Sequence, residues 1–377
     1  MLQRKISVLV TGANGFIGKN LIIRLGELSV YKILPFVRGD NLEVLADLVA
    51  KADVVIHLAG ENRPEDEASF HEVNAGLTFT LCDEIRKRIF NTGCKLPLVL
   101  ASSTQVRYNN KYGNSKLEAE KAVSNLALST ANPSVIFRLP GVFGKWCRPN
   151  YNSVVATFCH NITRGLPIKI NDSSTSLSLV YVDDVVSALI SAIISPADGL
   201  VQGIISPEYS ITLGELAAQL ESFHSSRNSL LVDPVGIGLP RALYATYVSY
   251  LPPKEFLYSI PQYKDARGVF VEMLKTSECG QFSFFTAHPG ITRGGHYHHT
   301  KTEKFLVIKG RALFRFRHIT TGEFFEVLTS GDFPQIVDTI PGWAHDITNM
   351  GDDELLVMLW ANEIFDRDNP DTFNAKV

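Results

Sequence analysis

The chain has 377 residues, 45% of them hydrophobic and 20% charged, which is too much for one ordinary core and too apolar for a disordered chain, so two domains are expected. A formal net charge of -3 leaves no basic surplus for the phosphates of nucleic acid or an anionic bilayer. No run approaches the roughly 20 apolar residues of a membrane-spanning helix, and MLQRKISVLVTG passes straight into a strand pattern, so a cytoplasmic protein with neither nucleic-acid nor membrane partners is expected. The five cysteines (Cys82, Cys94, Cys147, Cys159, Cys279) are scattered without a Cys-x-x-Cys pair and predict buried, reduced thiols.

From Lys5 to about Ile205, the short apolar runs ISVLV, KILPFV, DVVIHLA, PLVLASS and SVIFRL alternate with helix-length segments. That is the pattern of a doubly wound α/β domain, a parallel sheet with helices on both faces. ITLGELAAQLESFHS, from Ile211, has helical spacing after a Thr212 cap with Glu215 at the capping-box position, and is expected to be one more helix of this first domain. Leu239 to Asp265 shows no sustained period and carries Pro240, Pro252, Pro253 and Pro261, which places a boundary near residue 260: a first domain over 1–260 and a second over 261–377. Beyond it, QFSFFTA, EKFLVIKG, ALFRFRH, EFFEVLTSGD, PQIVDTIPG and ELLVMLWA predict an all-β sandwich or small barrel.

Directly after the first strand stands Thr11-Gly12-Ala13-Asn14-Gly15-Phe16-Ile17-Gly18, and then a helix-like segment. Gly12 permits a tight turn, Gly15 a close backbone approach to a pyrophosphate, and Gly18 close packing of helix on strand, while the helix N-terminus offers free N–H groups to the anion. Twenty positions after Gly18 stands Arg38, where an arginine accommodates a 2′-phosphate, which favours NADPH (NADP) over NAD.

Tyr112-Gly113-Asn114-Ser115-Lys116 puts a phenol and an ammonium on one helix face. By chemistry alone, the ammonium should lower the tyrosine pKa so that Tyr112 exchanges a proton with a sugar oxygen. Ser103 ends a strand where its hydroxyl could hold the same oxygen, with Ser102 and Thr104 as weaker substitutes.

These motifs, with Asp53–Gly60 (DVVIHLAG, including Leu58 and Ala59), Asn74 in VNAG, RLPGVFG from Arg138 and YVDDVVSAL from Tyr181, resemble in order the extended short-chain dehydrogenase/reductases of nucleotide-sugar metabolism, over roughly residues 5–225. The resemblance implies a Rossmann-like fold, with Tyr112 as acid or base, Lys116 on the nicotinamide ribose and the tyrosine, and Ser103 orienting the carbonyl. The cofactor would lie against Gly12, Asn14, Gly15, Phe16, Ile17, Gly18, Arg38, Leu58 and Ala59. Only eight residues separate Ser103 from Tyr112, fewer than in many relatives. Arg148 and Asn150, after the GVFG loop, are candidate diphosphate or uridine contacts.

In the second domain, the strand pattern of RGGHYHH points His296 and His298 to one face and Tyr297 and His299 to the other, while Glu303 can meet the first pair from the returning strand and His345 can add a nitrogen. Three imidazoles and a carboxylate suit zinc or another divalent transition metal. His296-x-His298, Glu303 and Gly310 resemble the first motif of the cupins. The second, through Gly331, Pro341, Gly342, His345 and Asn349, matches only approximately and leaves His345 the least secure ligand. RGGHYH also resembles metal-independent sugar epimerases on the same barrel, in which His296 would be a base and Arg293 would bind a phosphate or sugar oxygen.

An extended reductase followed by a cupin resembles the bifunctional enzymes of capsule and O-antigen synthesis that process UDP-activated 4-keto-6-deoxy amino sugars. That resemblance implies C3 epimerisation in the cupin, then reduction of the C4 ketone with NADPH to the talose-configured UDP-2-acetamido-2,6-dideoxy sugar. A reductase whose cupin only dimerises the protein is the competing expectation, and a redox-sensing binding protein a distant third. A dehydratase would want an acidic pair beside Ser103, where Thr104-Gln105 stand. Exposed sheet edges predict a homodimer through residues beyond 265.

Overall fold

The computed structural model describes residues 4–377 apart from 64, 65, 67, 68, 197, 266, 267, 272, 273, 275, 277–279, 364, 365 and 367, with 262–271 and 281 described by backbone alone. The described residues pack as two units, one within 4–143, 151–153 and 177–210, the other within 144–150, 154–176 and 211–377.

In the first unit the five expected runs are strands: β1 (Ile6–Thr11), β2 (Tyr31–Phe36), β3 (Val54–His57), β4 (Leu98–Ser103) and β5 (Ser134–Leu139). With a sixth strand, Leu200–Gly203, they form one parallel sheet in the order β2-β1-β3-β4-β5-sixth. Pro35 is tolerated because β2 is an edge strand. Alternate residues serve opposite faces. Val8, Val10 and Ile56 pack with Leu21 and Leu25 of helix α1 (Phe16–Glu27) and with Val185 and Leu189 of the helix Val182–Ile194. Leu9, Val55 and Leu100 pack with helices α2 (Leu42–Lys51), α3 (Leu77–Thr92) and α4 (Lys111–Thr130), through Leu45, Leu81 and Val123. Because β1 lies between β2 and β3, the strand order reverses at its C-terminal end, and there such sheets open a ligand crevice.

The second unit holds two five-stranded antiparallel sheets. One contains the strands Gln281–Ala287, Glu303–Lys309, Gln335–Asp338 and Leu355–Ala361; the other contains Thr292–Tyr297, Arg311–His318, Phe324–Ser330 and Trp343–Asn349. Phe305, Phe314, Phe316, Trp343 and Trp360 are buried in it. This is the all-β architecture expected after residue 260.

Two expectations are corrected. The helix from Ile211, observed as Leu213–Ser229 with the Thr212/Glu215 capping box, packs in the second unit rather than with the parallel sheet. Its Arg227 Nη1 donates to Asp338 Oδ2 at 3.1 Å, on the strand Gln335–Asp338. The stretch after Leu239 is not irregular: Gly238–Ser249 is a helix. Every residue from Ala242 to Val248 is buried, so no wet face marks a helical period, and Pro240 sits in the first turn, where no N–H is needed. Of the cysteines, Cys82 and Cys159 are buried, but Cys94 is exposed and Cys147 half-buried, while Cys279 lies outside the described residues. Burial pushes the Cys82 thiol up to about 12.

Lys304 and Asp338 face each other across paired strands with both side chains buried, Nζ to Oδ1 2.7 Å. Burial opposes the Lys304 charge, but Asp338 outweighs it and holds the ammonium well above the usual lysine range. Removing one partner of such a pair leaves a buried unpaired charge, which costs about 3–5 kcal/mol. Lys304→Met is therefore expected to destabilise the second unit by about that amount in denaturant unfolding, whereas Lys254→Met, at an 81% exposed side chain, is expected to change stability by under about 0.5 kcal/mol.

Candidate functional site

At the crevice, Gly12 turns with φ +67°, and a Cβ there would stand 2.7 Å from Ala59 N, so only glycine lets the end of β1 cross the residues after β3. A Cβ on Gly18 would meet Gly12 O at 2.3 Å, which is the close helix–strand packing expected of it. Gly15 is the N-cap of α1, with no side-chain cap and no acidic residue in the first turn. The N-terminal amides from Phe16 onward therefore remain available to an anion, and this cradle fits a dinucleotide pyrophosphate. Thr11 Oγ1 accepts from Leu58 N and Ala59 N, each at 3.2 Å, and lies 2.6 Å from His57 Nδ1, locking β1 to β3 beneath the cradle.

Arg38 pairs with Glu61, whose other oxygen accepts from Tyr151 Oη at 2.7 Å. Burial pushes Glu61 up, but the Tyr151 and Arg38 hydrogen bonds carry its carboxyl below the usual range. Asp40 is committed to the turn after β2, accepting from Val37 N at 2.8 Å. Glu61 was not found from sequence, because its two partners stand 23 and 90 residues away.

Tyr112 and Ser103 share a hydrogen bond, from the first turn of α4 and the end of β4. A Cβ on Gly113 would stand 2.2 Å from Gln105 O, so glycine allows α4 to start directly on the 3₁₀ turn Thr104–Arg107 that fills the short connection. Ser102 is used elsewhere, donating to Glu120 Oε1 at 2.6 Å beside the bidentate Arg138–Glu120 pair. Thr104 Oγ1 is 3.5 Å from Leu139 O.

Lys116 is buried and donates from Nζ to Ala101 O at 2.7 Å. Burial pulls it down to about 8, against a smaller upward pull from Glu120. The expected lowering of Tyr112 is not seen: burial raises it, and the Ser103 hydrogen bond only partly offsets that. The physical reason is that the Lys116 amine is turned to the β4 carbonyl. His57 is pushed to about 3 by burial and by the Lys116 charge. Asn74, in the π-helical turn Phe70–Gly76, closes the floor: its Oδ1 accepts from Glu61 N at 2.8 Å and its Nδ2 donates to Glu61 O and Ser115 Oγ, each at 2.9 Å.

In the second unit, one ligand atom from each of His296, His298, Glu303 and His345 falls within 4.8 Å of the others. A bulge between Gly294 and His296 sets the register that pairs His296 with His345. His298 Nε2 is 3.2 Å and His345 Nε2 3.5 Å from Glu303 Oε2. Both ring nitrogens of His345 are buried without a hydrogen-bond partner. Burial, then the other two imidazoles, drive His296 to about 3. Burial pushes Glu303 up, but His298 and His345 hold its carboxyl well below the usual range. Three imidazoles and a carboxylate whose ligand atoms lie this close together, with buried His345 nitrogens left without a hydrogen bond, fit a divalent transition metal.

Tyr297 and His299 turn to the opposite face, where both rings stack with Phe373. Arg293 lies on the Phe285 ring and donates to Thr286 O at 3.1 Å, outside the cluster. Asn349 is structural, donating to Ala287 O and Asp353 O at 2.9 Å each. Asn150 has left-handed backbone (φ 53°), and its N–H donates to Thr157 Oγ1 at 3.0 Å.

The NAD dependent epimerase/dehydratase family model matches residues 8–206, and the Polysaccharide biosynthesis C-terminal domain model matches 263–373. Among curated proteins, the chain is 53% identical over 372 residues to UDP-2-acetamido-2,6-beta-L-arabino-hexul-4-ose reductase of Pseudomonas aeruginosa, covering 99% of each chain. Among solved structures, it is similar to the capsular polysaccharide assembling protein CapF of Staphylococcus aureus, with TM-score 0.66 and 40% identity over 98% of this chain and 100% of that one. The Bordetella bronchiseptica enzyme WbmF, solved with NAD+, shares the fold over 59% of this chain and 79% of its own, at TM-score 0.51 and 21% identity. The chain belongs to the NAD dependent epimerase/dehydratase family, with a polysaccharide-biosynthesis domain joined C-terminal to it.

Lys116 is expected to titrate near 8 instead of 10.5, which ¹³C NMR of labelled lysines would read. The unfolded chain keeps that proton to higher pH, so the Lys116 contribution to stability rises with pH between about 8 and 10.5. Unfolding measured across that window should show the rise in wild type and a flatter curve in Lys116→Met.

Proposed function

We propose that this chain is a bifunctional nucleotide-sugar enzyme of surface-polysaccharide synthesis. Residues 261–377, as a cupin, epimerise C3 of a UDP-2-acetamido-2,6-dideoxy-4-hexulose. Residues 1–260 then reduce the C4 ketone with NADPH to UDP-2-acetamido-2,6-dideoxy-L-talose, a precursor of UDP-N-acetyl-L-fucosamine. The observation that carries the reading is the 53% full-length identity to a protein named as a reductase of such a 4-keto sugar.

The order follows from the chemistry. The C4 ketone acidifies the C3 proton, and that acidity disappears once C4 is an alcohol. In the barrel, His298, Glu303 and His345 would hold zinc together with His296, the least buried of the four and so the member that meets the substrate. The ion, when bound, supplies positive charge to the oxygen that becomes negative as the C3 proton leaves. In the reductase site, NADPH would supply hydride when bound, Tyr112 would give its phenolic proton to the C4 oxygen, Ser103 would hydrogen-bond that oxygen, and Lys116 would hold the nicotinamide ribose. Arg38, paired with Glu61, would hold the 2′-phosphate. The reading includes a cytoplasmic homodimer joined through the barrel, where Phe282 and Phe284 are 46% and 72% exposed on a strand at a sheet edge.

With the UDP-4-keto sugar in D₂O and no NADPH, the C3 proton signal is expected to vanish in wild type and persist in His296→Ala. Persistence in wild type, alongside normal NADPH oxidation, would make the barrel non-catalytic. Tyr112→Phe should lower kcat for reduction by about 10²–10⁴-fold while leaving C3 exchange intact. Arg38→Ala should raise KM for NADPH and leave that for NADH unchanged; equal effects on both would remove Arg38 from 2′-phosphate recognition.

A further inference from the structure

Between His298 and Glu303, the two ligand-bearing strands are joined by a short turn whose successive backbone N–H groups are all taken by side chains distant in sequence. His299 N, Thr300 N and Lys301 N donate to the Asp371 carboxylate at 2.9, 2.6 and 2.6 Å. Thr302 N donates to Asn362 Oδ1 at 2.9 Å, and Glu303 N to Thr339 Oγ1 at 2.9 Å. Asp371 also accepts from Thr300 Oγ1 at 3.0 Å, and that hydroxyl in turn accepts from Arg241, which is paired with Glu363 at 3.0 Å. Charge-assisted bonds from three consecutive amides to one carboxylate are strong and leave the turn one conformation.

The same residue acts on a ligand directly. His298 Nδ1 hydrogen-bonds the backbone carbonyl of Asp371. A carbonyl only accepts, so Nδ1 donates to it, and the ring is held with Nε2 turned to Glu303 Oε2 at 3.2 Å. The following residues extend the hold: Phe373 and Asn374 pair with Tyr297 and His296 as a short strand, and Ala375 N donates to Gly295 O at 2.9 Å.

We propose that Asp371 is the positioning residue of the barrel site: its carboxylate fixes the turn that sets His298 against Glu303, and its carbonyl fixes the orientation of the His298 ring toward the cluster. This inference rests on the metal-centre reading above. Such outer partners of metal-bound histidines typically cost 10–100-fold in metal affinity when lost.

The test uses the full-length protein, with zinc affinity read by chelator competition and hydrogen exchange of the His299, Thr300 and Lys301 amides read by NMR of the metal-free protein. Asp371→Asn is expected to weaken zinc binding by about 10–100-fold and to speed exchange of those three amides. Asp368→Asn, an exposed acid in the same segment, should change neither. Asp371→Glu, which keeps the charge, should recover part of the affinity. Unchanged affinity in both Asp371→Asn and Asp371→Ala would overturn the proposal. Failure of wild type to bind zinc would sink the metal reading alone, and the exchange measurement would then decide Asp371: unprotected amides in wild type, or no change in the variant, overturns it. Thermal unfolding of each variant separates loss of fold from loss of positioning.

Discussion

The reductase site is organised around one buried amine. Lys116 Nζ reaches back across α4 to Ala101 O at 2.7 Å, and this bond fixes the helix against β4 at the level where Ser103 and Tyr112 meet. An ammonium with so little water around it is costly, and burial lowers it to about 8. Its field contributes to keeping His57 neutral, so His57 is free to bridge Thr11 and Thr78 through its two nitrogens at 2.6 and 2.8 Å. The cradle, the floor beneath it and the catalytic helix are thereby coupled through a handful of short polar bonds, and the glycines at 12, 18 and 113 remove the side chains that would hold these elements apart.

The second unit solves a different problem. Four ligand-type side chains must be brought within a few ångströms although all of them favour water, and the price in desolvation is met by mutual contact within the cluster and by strict control of the backbone between them. The turn from His299 to Glu303 has no backbone ladder of its own at its tip. Carboxylate, amide and hydroxyl groups from Asp371, Asn362 and Thr339 supply the acceptors instead. The buried Lys304–Asp338 pair lies one residue along the same strand from Glu303 and extends the polar framework to Arg227.

Much of this was legible in the sequence where a local period or a short spacing carries the signal. Tyr112 and Lys116 are one helical turn apart, His296 and His298 alternate on a strand, and the five apolar runs of the parallel sheet are bounded by turns. What could not be read is what distant segments contribute. The partner of Arg38, the acceptors of the 299–303 amides and the carbonyl that orients His298 come from residues 23 to 73 positions away, in no local pattern. The helix Gly238–Ser249 was missed for a related reason, since burial on every side erases the amphipathic stripe by which helices are recognised. The direction of the Tyr112 shift was misread because spacing gives proximity to Lys116 but not the direction in which the amine points.

On the proposed reading, the two reactions must run in sequence, and the partition of residues bears on how. Ser103, Tyr112, Lys116 and the cradle all belong to the first unit, while His296, His298, Glu303, His345 and Asp371 all belong to the second. Neither set borrows a described reacting group from the other. A sugar epimerised in the barrel still carries its C4 ketone and its UDP handle, which are the features the reductase site would recognise. Release and rebinding of that intermediate therefore requires no passage built into the protein, only that the epimerised ketone survive its transit.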